Sequence, residues 1–328
     1  MTPPEGLNRS ALTTRRTLAA FLAAPALARA QEAFPSRPLR LVVGFPPGTA
    51  ADLTARLSVP MLSERLGQPI IIENRPGAGS GIAAEAVTRA APDGYTLLLA
   101  SAANVIGQLM QPNATYDMKR DFAPIATLTD LPNILVAHPT LGVRSVRELI
   151  AHARARPDQV FYGSSGIATA PHLSGELFNQ MAGVRMVHVP YAGSGQAMTD
   201  LLEGRVQVMF SPAPTARAHI ESGKLLALAT SGAERTALAP GLPTVAESGL
   251  PGFDTSIWFG LMAPAATPAP ILRRLAEATA AVTAAPAIQA RFREQGMDPL
   301  PKGPEAFAAL VAAELTKWAA VVAAAGAR

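Results

Sequence analysis

The sequence predicts an α/β fold in which strands and helices alternate along one long chain. Three apolar runs come first, each followed by small residues and an amphipathic stretch; they are Leu39–Val43, Pro69–Glu73 and Thr96–Ala100. Such alternation is typical of a largely parallel sheet flanked by helices. The length of 328 residues fits one large domain or two of medium size.

A second block of the same kind begins after residue 137. Ser145 and Glu148 form a capping-box pattern ahead of an amphipathic helix, and Pro171 stands where the first residue of another helix is expected. A strand at Ile134–Ala137 precedes this block, and the strands of the block are predicted at Val160–Gly163, Met186–Tyr191, Val206–Phe210 and Leu225–Thr230. Two blocks in one chain favour two domains.

The tail, residues 270–328, is rich in alanine and reads as helical. Phe307, Val311, Leu315, Trp318 and Val322 recur at helical spacing. Because this region has no strands of its own, we expect it to pack on the first block. The prediction is a discontinuous first domain (34–135 plus 260–328) with a second domain (136–259) inserted.

Residues 1–30 have the pattern of a secretory signal peptide. Arg15 and Arg16 precede an uncharged apolar run that contains Pro25, and Ala28-Arg29-Ala30 matches a cleavage site. The adjacent arginines suggest the twin-arginine route. The run is too short for a transmembrane helix, and no other long apolar span stands out in the sequence. We therefore expect a soluble, periplasmic protein.

Composition excludes several classes of function. The chain has no cysteine, so thiolate metal sites and disulfides are excluded. The net charge is +4, and three of those charges lie in residues 1–30, so the rest is nearly neutral and nucleic-acid binding is unsupported. The five histidines lack metal-ligand spacing, which argues against a metal. The predicted compartment argues against nucleotide cofactors, so none is expected.

Four loops that follow strands are suited to bind an anion. They are Gly44–Ala51, Ser101–Asn104, Ser164–Ala170 and Tyr191–Gly195, and none contains Lys or Arg. Loops at the carboxyl ends of strands are where open α/β sheets bind ligands, and helix N-termini there present free N–H groups. Tight turns use the same small residues, so any one loop alone is weak evidence.

Sequence motifs for catalysis are weaker than the pattern of these four loops. Ser164 or Ser165 with His172 could act as a nucleophile and base, which leaves an exported serine hydrolase as the alternative. Gly77–Gly81 looks like part of a dinucleotide loop, but Ile82 replaces its last glycine. Asp52 is expected to cap a helix, and Pro60 to bend it.

The chain from about Phe34 to Gly326 resembles the receptor family of tripartite tricarboxylate transporters, also called Bug receptors. Nine segments in order carry the resemblance: Phe45–Gly48 with Asp52, Asn74–Gly79, Pro92–Leu97, Asp121–Ile125, Tyr162–Gly166, His188–Tyr191, Asp200–Gly204, Leu242–Gly249 and Ala263–Pro268. The resemblance implies a two-domain periplasmic binding protein fold of type II that closes on a small carboxylate. The loop Gly48–Ala51 has less glycine than is common in the family.

The resemblance also implies the ligand-binding residues. In the first domain they are Phe45, Pro46, Thr49, Ala50 and Ser101, and in the second they are Ser165, Ala168, Thr169, His172, Tyr191 and Gly193. The expected function is that of a periplasmic receptor, not an enzyme, that acts as a monomer and presents its ligand to a membrane permease. A sensor protein in place of the permease stays open as an alternative.

Overall fold

The computed structural model describes residues 34–111, 114–167, 169–236 and 239–326. The predicted signal peptide, its twin-arginine motif and Ala168 lie outside these ranges. The described chain contains two sheets with helices packed on them. The α/β prediction is confirmed.

The first sheet has six strands in the order β11-β4-β10-β3-β1-β2. Their bounds are β1 Leu39–Val43, β2 Ile70–Asn74, β3 Thr96–Ser101, β4 Phe122–Leu131, β10 Ile257–Pro264 and β11 Asp298–Pro299. The helices α1 Ala50–Leu66, α2 Gly81–Thr88 and α3 Ala102–Met110 follow its first three strands. The first helix, α1, continues past Pro60.

The second sheet has five strands in the order β7-β6-β8-β5-β9. Their bounds are β5 Asn133–Ala137, β6 Phe161–Ser164, β7 Val187–Pro190, β8 Val208–Pro212 and β9 Leu226–Thr230. Its helices are α4 Val146–Ala155, α5 Ala170–Ala182, α6 Ser194–Leu202 and α7 Ala213–Glu221. Ser145 caps α4 as predicted, because its side chain accepts the N–H of Glu148.

Most strands of both sheets run parallel, as the sequence predicts, and a minority make the sheets mixed. The strands β10 and β11 run against the other four of the first sheet, and β5 runs against the other four of the second. The reason is the route of the chain. Only Pro132 separates β4 from β5, so β5 enters the second sheet at the edge where the other strands end.

The tail forms three helices, α8 Ala269–Thr283, α9 Pro286–Glu294 and α10 Pro304–Gly326. The last, α10, packs on α3 and β4, as expected for a return to the first block, and also contacts α5 beside the second sheet. Phe307, Val311 and Trp318 are buried in this packing.

One helix of the described chain, Pro304–Ala323, is long and apolar enough to cross a membrane, with a mean hydropathy of 1.6. This span does not stand out in the sequence, because Glu305, Glu314 and Lys317 interrupt it. In the fold this helix is part of α10, whose Trp318 donates an indole hydrogen bond to Glu314 over 2.7 Å. Because α10 packs on α3, β4 and α5, this span is part of the fold.

Candidate functional site

The carboxyl edges of the two sheets meet at the crossover of the chain. Leu131 ends β4 at the carboxyl edge of the first sheet, and Asn133 begins β5 at the carboxyl edge of the second. Only Pro132 lies between them. The loops that follow the strands of both sheets therefore lie on facing edges.

Strand order locates a crevice at each of these edges. In the first sheet the strand that follows β1 is added on one side of it, whereas the strand that follows β3 is added on the opposite side. In the second sheet it leaves β6 towards β7 and β8 towards β9. Such points of reversal are where open α/β sheets bind ligands. The loops after β1 and β6 border them.

The loop after β1 is held by its own polar groups. Thr49 Oγ1 donates to Pro46 O over 2.8 Å, and Asp52 Oδ2 accepts the N–H of Gly48 over 2.9 Å. Asn74 Nδ2 donates to Phe45 O and to Asp52 Oδ1. These hydrogen bonds hold the loop in the shape seen in this structure.

Asp52 joins the loop after β1 to α1 and to β2. Burial by itself would raise the pKa of this carboxyl, but hydrogen bonds from Arg56, Gly48 and Asn74 outweigh burial and lower the pKa. The carboxylate is therefore ionised, buried and shared by the loop, the helix and β2. Thr49, not Asp52, is the N-cap residue of α1.

The loop after β6 repeats the turn of the first loop. Thr169 Oγ1 donates to Gly166 O over 2.7 Å, again three residues back, and Thr169 is the N-cap residue of α5. Both threonine hydroxyl protons are thus used within their loops. The groups left to face the crevice are backbone N–H groups at two helix N-termini.

Ser164 contacts His188, so the suggested pairing of Ser164 with His172 is wrong. Ser164 Oγ lies 2.6 Å from His188 Nε2 and donates to Gly166 O within its own loop. The ring of His172 stacks on that of His188, with centroids 4.0 Å apart. Ser164 is fully buried. These contacts help to hold the loop after β6 in place.

Both histidines of this stack favour the neutral form. Burial lowers the pKa of His188 to about 4, and the charge of His172 acts in the same direction. Burial also lowers the pKa of His172, although Glu176 opposes it. Neutral rings can stack here, whereas two protonated rings would repel each other.

The remaining predicted residues of the second block occupy the same edge. Ser165 is partly exposed in the second loop. Tyr191 follows β7, and its hydroxyl donates to Asp200 Oδ2 over 2.8 Å, so its proton is directed away from the loop backbone. Burial, followed by that hydrogen bond, raises the pKa of Tyr191 to about 12. Gly193 is the N-cap residue of α6.

Phe45, Pro46 and Ala50 are at least partly exposed on the first loop. Ser101 is the last residue of β3 and the N-cap of α3, so the predicted loop there is absent and Ser101 is buried. The loops bordering the crevice contain no cation, and the nearby Arg56 and Arg205 are paired with Asp52 and Asp200.

Sequence reasoning missed three residues that shape the site: Asn74, His188 and Ser80. Asn74 belongs to a motif that carries the resemblance, but only its hydrogen bonds to Phe45 O and Asp52 Oδ1 give it a role. Ser80 lies directly over Gly44, where a Cβ built on that glycine would come within 1.8 Å of Ser80 Oγ. No signal in a single sequence marks this contact.

A separate cavity of about 410 Å³ lies between α7 and the turn after α9. It is lined by Ile134, Ala213, Arg217, Leu242 and Glu294, among others. No predicted ligand-binding residue lines it. Across the described ranges, no group of three or more His, Asp or Glu side chains is arranged to hold a metal ion.

A family model described as the receptor of the tripartite tricarboxylate transporter family matches residues 54–327. The chain belongs to this receptor family. Protein BugT of Bordetella pertussis is 37% identical over 311 residues, which cover 94% of each chain.

Solved structures of related receptors share the fold. A protein of R. palustris, solved with adipate, is 37% identical with a TM-score of 0.78, and the match covers 89% of this chain and 98% of that one. MatC from Rhodopseudomonas palustris, solved with bound malate, is 33% identical with a TM-score of 0.75 and coverages of 88% and 100%. The two-domain periplasmic binding protein fold is thereby confirmed.

Proposed function

We propose that this receptor captures a small organic carboxylate between the loops that follow β1 and β6. The observation that carries the proposal is the repeated turn, in which Thr49 and Thr169 each close an uncharged loop at a helix N-terminus. The bound adipate and malate of two related structures support the ligand class.

The proposed site binds the ligand through Phe45, Pro46, Thr49, Ala50 and Ser101 on one side and through Ser165, Ala168, Thr169, His172, Tyr191 and Gly193 on the other. Charge-assisted hydrogen bonds from backbone N–H groups contribute about 1.5–3 kcal/mol each. Four or five of them, less the cost of association, would give affinity of about 1 μM, near −8 kcal/mol. No basic side chain is needed.

We propose that the two lobes are residues 34–135 with 260–328 and residues 136–259. Sheet membership changes at Pro132 and again between Thr230 and Ile257, which supports this division. The ligand would enter between the lobes and be enclosed when they approach each other.

Calorimetric titration of the purified protein tests the ligand class. The panel contains adipate, malate, their diamides and an uncharged sugar. We expect saturable binding of at least one carboxylate and none of its diamide. Thr169→Val should weaken that binding at least tenfold, whereas Ser145→Ala, which removes a cap far from the crevice, should not. Binding of the sugar alone, or of no carboxylate, would refute the proposal.

We further propose that the receptor is a periplasmic monomer without enzymatic activity and that it delivers its ligand to a membrane permease. Family membership supports this. Capture from solubilised membranes, with and without the carboxylate, tests the partner. Ligand-dependent recovery of a multispanning permease is expected, and recovery of a sensor protein in its place would contradict delivery for transport.

A further inference from the structure

The segment between β2 and α2 has a strained backbone. Four successive residues, Gly77 to Ser80, have positive φ, including Ala78 at 49° and Ser80 at 72°. Side chains other than glycine adopt this region at a cost in free energy. Strained residues that persist in a structure often belong to functional sites.

Ser80 is the N-cap residue of α2, yet its side chain makes no capping hydrogen bond. The left-handed backbone turns the hydroxyl towards Gly44 at the end of β1. Ser80 is 1% exposed, and Oγ has no hydrogen-bond partner among the described residues. Strain and an unpaired buried hydroxyl both cost stability, and the hydroxyl makes no hydrogen bond within the described chain that would offset this cost.

Ser101 is a second buried serine, at the end of β3. Its backbone is extended, it forms a capping box with Asn104 at the start of α3, and its hydroxyl proton has no acceptor within the described chain. Asn104 joins the two serines, because its Nδ2 donates to Ser80 O over 3.1 Å and its Oδ1 accepts the N–H of Ser101 over 3.0 Å. Since β1 and β3 are paired, both hydroxyls lie at the crevice of the first sheet.

We propose that Ser80 and Ser101 form the floor of the first-lobe half of the site, where their hydroxyls donate hydrogen bonds to the carboxylate of the bound ligand. This inference rests on the proposed function. An ionised carboxylate only accepts hydrogen bonds, so two hydroxyl donors match it. Because both hydroxyls are covered in this structure, the loop after β1 must shift when a ligand enters.

Four variants distinguish the effect of the hydroxyl groups on binding from the effect of backbone strain. Ser80→Gly removes both, Ser80→Ala removes the hydroxyl and keeps the strained backbone, and Ser101→Ala removes the other hydroxyl. Ala78→Gly is the matched control, because it relieves strain two residues away and keeps both hydroxyls. Affinity for adipate and malate is measured by calorimetry, and Tm by differential scanning calorimetry.

We expect Ser80→Gly and Ser80→Ala to weaken binding at least tenfold, and Ser101→Ala to do the same. Ser80→Gly and Ala78→Gly should both raise Tm, while Ala78→Gly leaves the affinity within twofold of the original. A purely structural role would give Ser80→Gly a higher Tm and unchanged affinity.

Unchanged affinity in both Ser80 variants, with the unmodified protein binding normally, would overturn the inference and leave the proposed function intact. Failure of the unmodified protein to bind either carboxylate would overturn both. If Ala78→Gly weakened binding as much as Ser80→Gly, the inference would also be overturned, because relief of backbone strain alone would then account for the effect.

Discussion

Replacing Asp130 with asparagine is expected to remove a strong dependence of stability on pH. Asp130 lies near the end of β4, opposite Trp258 of β10 and Asp298 of β11. Its Oδ1 is buried without a partner among the described residues. Burial raises the pKa of Asp130 to about 7. A hydrogen bond that the carboxylate accepts from Ser256 opposes this rise, and the charges of Asp254 and Asp298 add to it.

Proton binding sets the direction of this effect. The ordinary pKa of this carboxyl is 3.8, so between about pH 4 and pH 7 the folded chain retains a proton that the unfolded chain releases. The free energy of unfolding therefore falls as pH rises through this window. A pKa that differs by about 1 between the folded and unfolded chains is equivalent to about 1.4 kcal/mol. The full loss is therefore roughly 4 kcal/mol, of which about 3 kcal/mol falls between pH 5 and pH 8.

Urea unfolding at pH 5 and pH 8, followed by far-UV circular dichroism, measures this effect. Asparagine stands in for the neutral carboxyl, so Asp130→Asn should match the original protein near pH 5 to within about 1 kcal/mol and exceed it by about 3 kcal/mol at pH 8. Glu221→Gln, an exposed carboxyl on α7, is the control and should leave the profile unchanged. Parallel profiles for Asp130→Asn and the original protein would refute the reasoning.

Three further changes test other parts of the fold. The lowered pKa of His188 makes folding less favourable as pH falls from about 6.5 to about 4, so His188→Gln should reduce the loss of stability over that range. Tm measured between these pH values checks this, and an unchanged dependence of Tm on pH would contradict it. Gly175→Ala would bring a Cβ within 2.2 Å of the buried Tyr162 ring, so the free energy of unfolding, measured in urea, should fall by about 1–3 kcal/mol. An unchanged free energy of unfolding would argue against this packing. Phe307→Ala removes a buried ring that packs on Trp258, and should cost about 3–5 kcal/mol with a red shift of Trp258 emission, whereas retained emission and stability would argue against it.

Much of the fold could be predicted because apolar runs and small-residue loops are local signals. The strands that end at Val43, Ser164 and Thr230 appear within a few residues of their predicted positions. The sequence does not indicate the pairing of the antiparallel strands β4 and β10. Their pairing joins residues more than a hundred positions apart, and no local pattern reports it.

The site could be predicted as loops but not as contacts. The uncharged loops and their threonines were identified from composition and from the resemblance to the family. The contacts of Ser80 with Gly44 and of His188 with Ser164 depend on how separate segments pack, within a few ångströms. The expected partner of Ser164, His172, was nearer in sequence, but packing placed its ring on His188 instead.

The helix α10 constrains how the two sheets can move. It contacts α3 and β4 on one side and α5 on the other, and Lys317 donates to Asp254 O in the return segment. The buried face of α10 carries Phe307, Val311 and Trp318, which belong to one apolar cluster with side chains of α5, while its alanines are largely exposed. A rotation about Pro132 alone would pull α5 away from α10 and expose part of this cluster to water. The last helix of the chain therefore resists a wide separation of the two sheets.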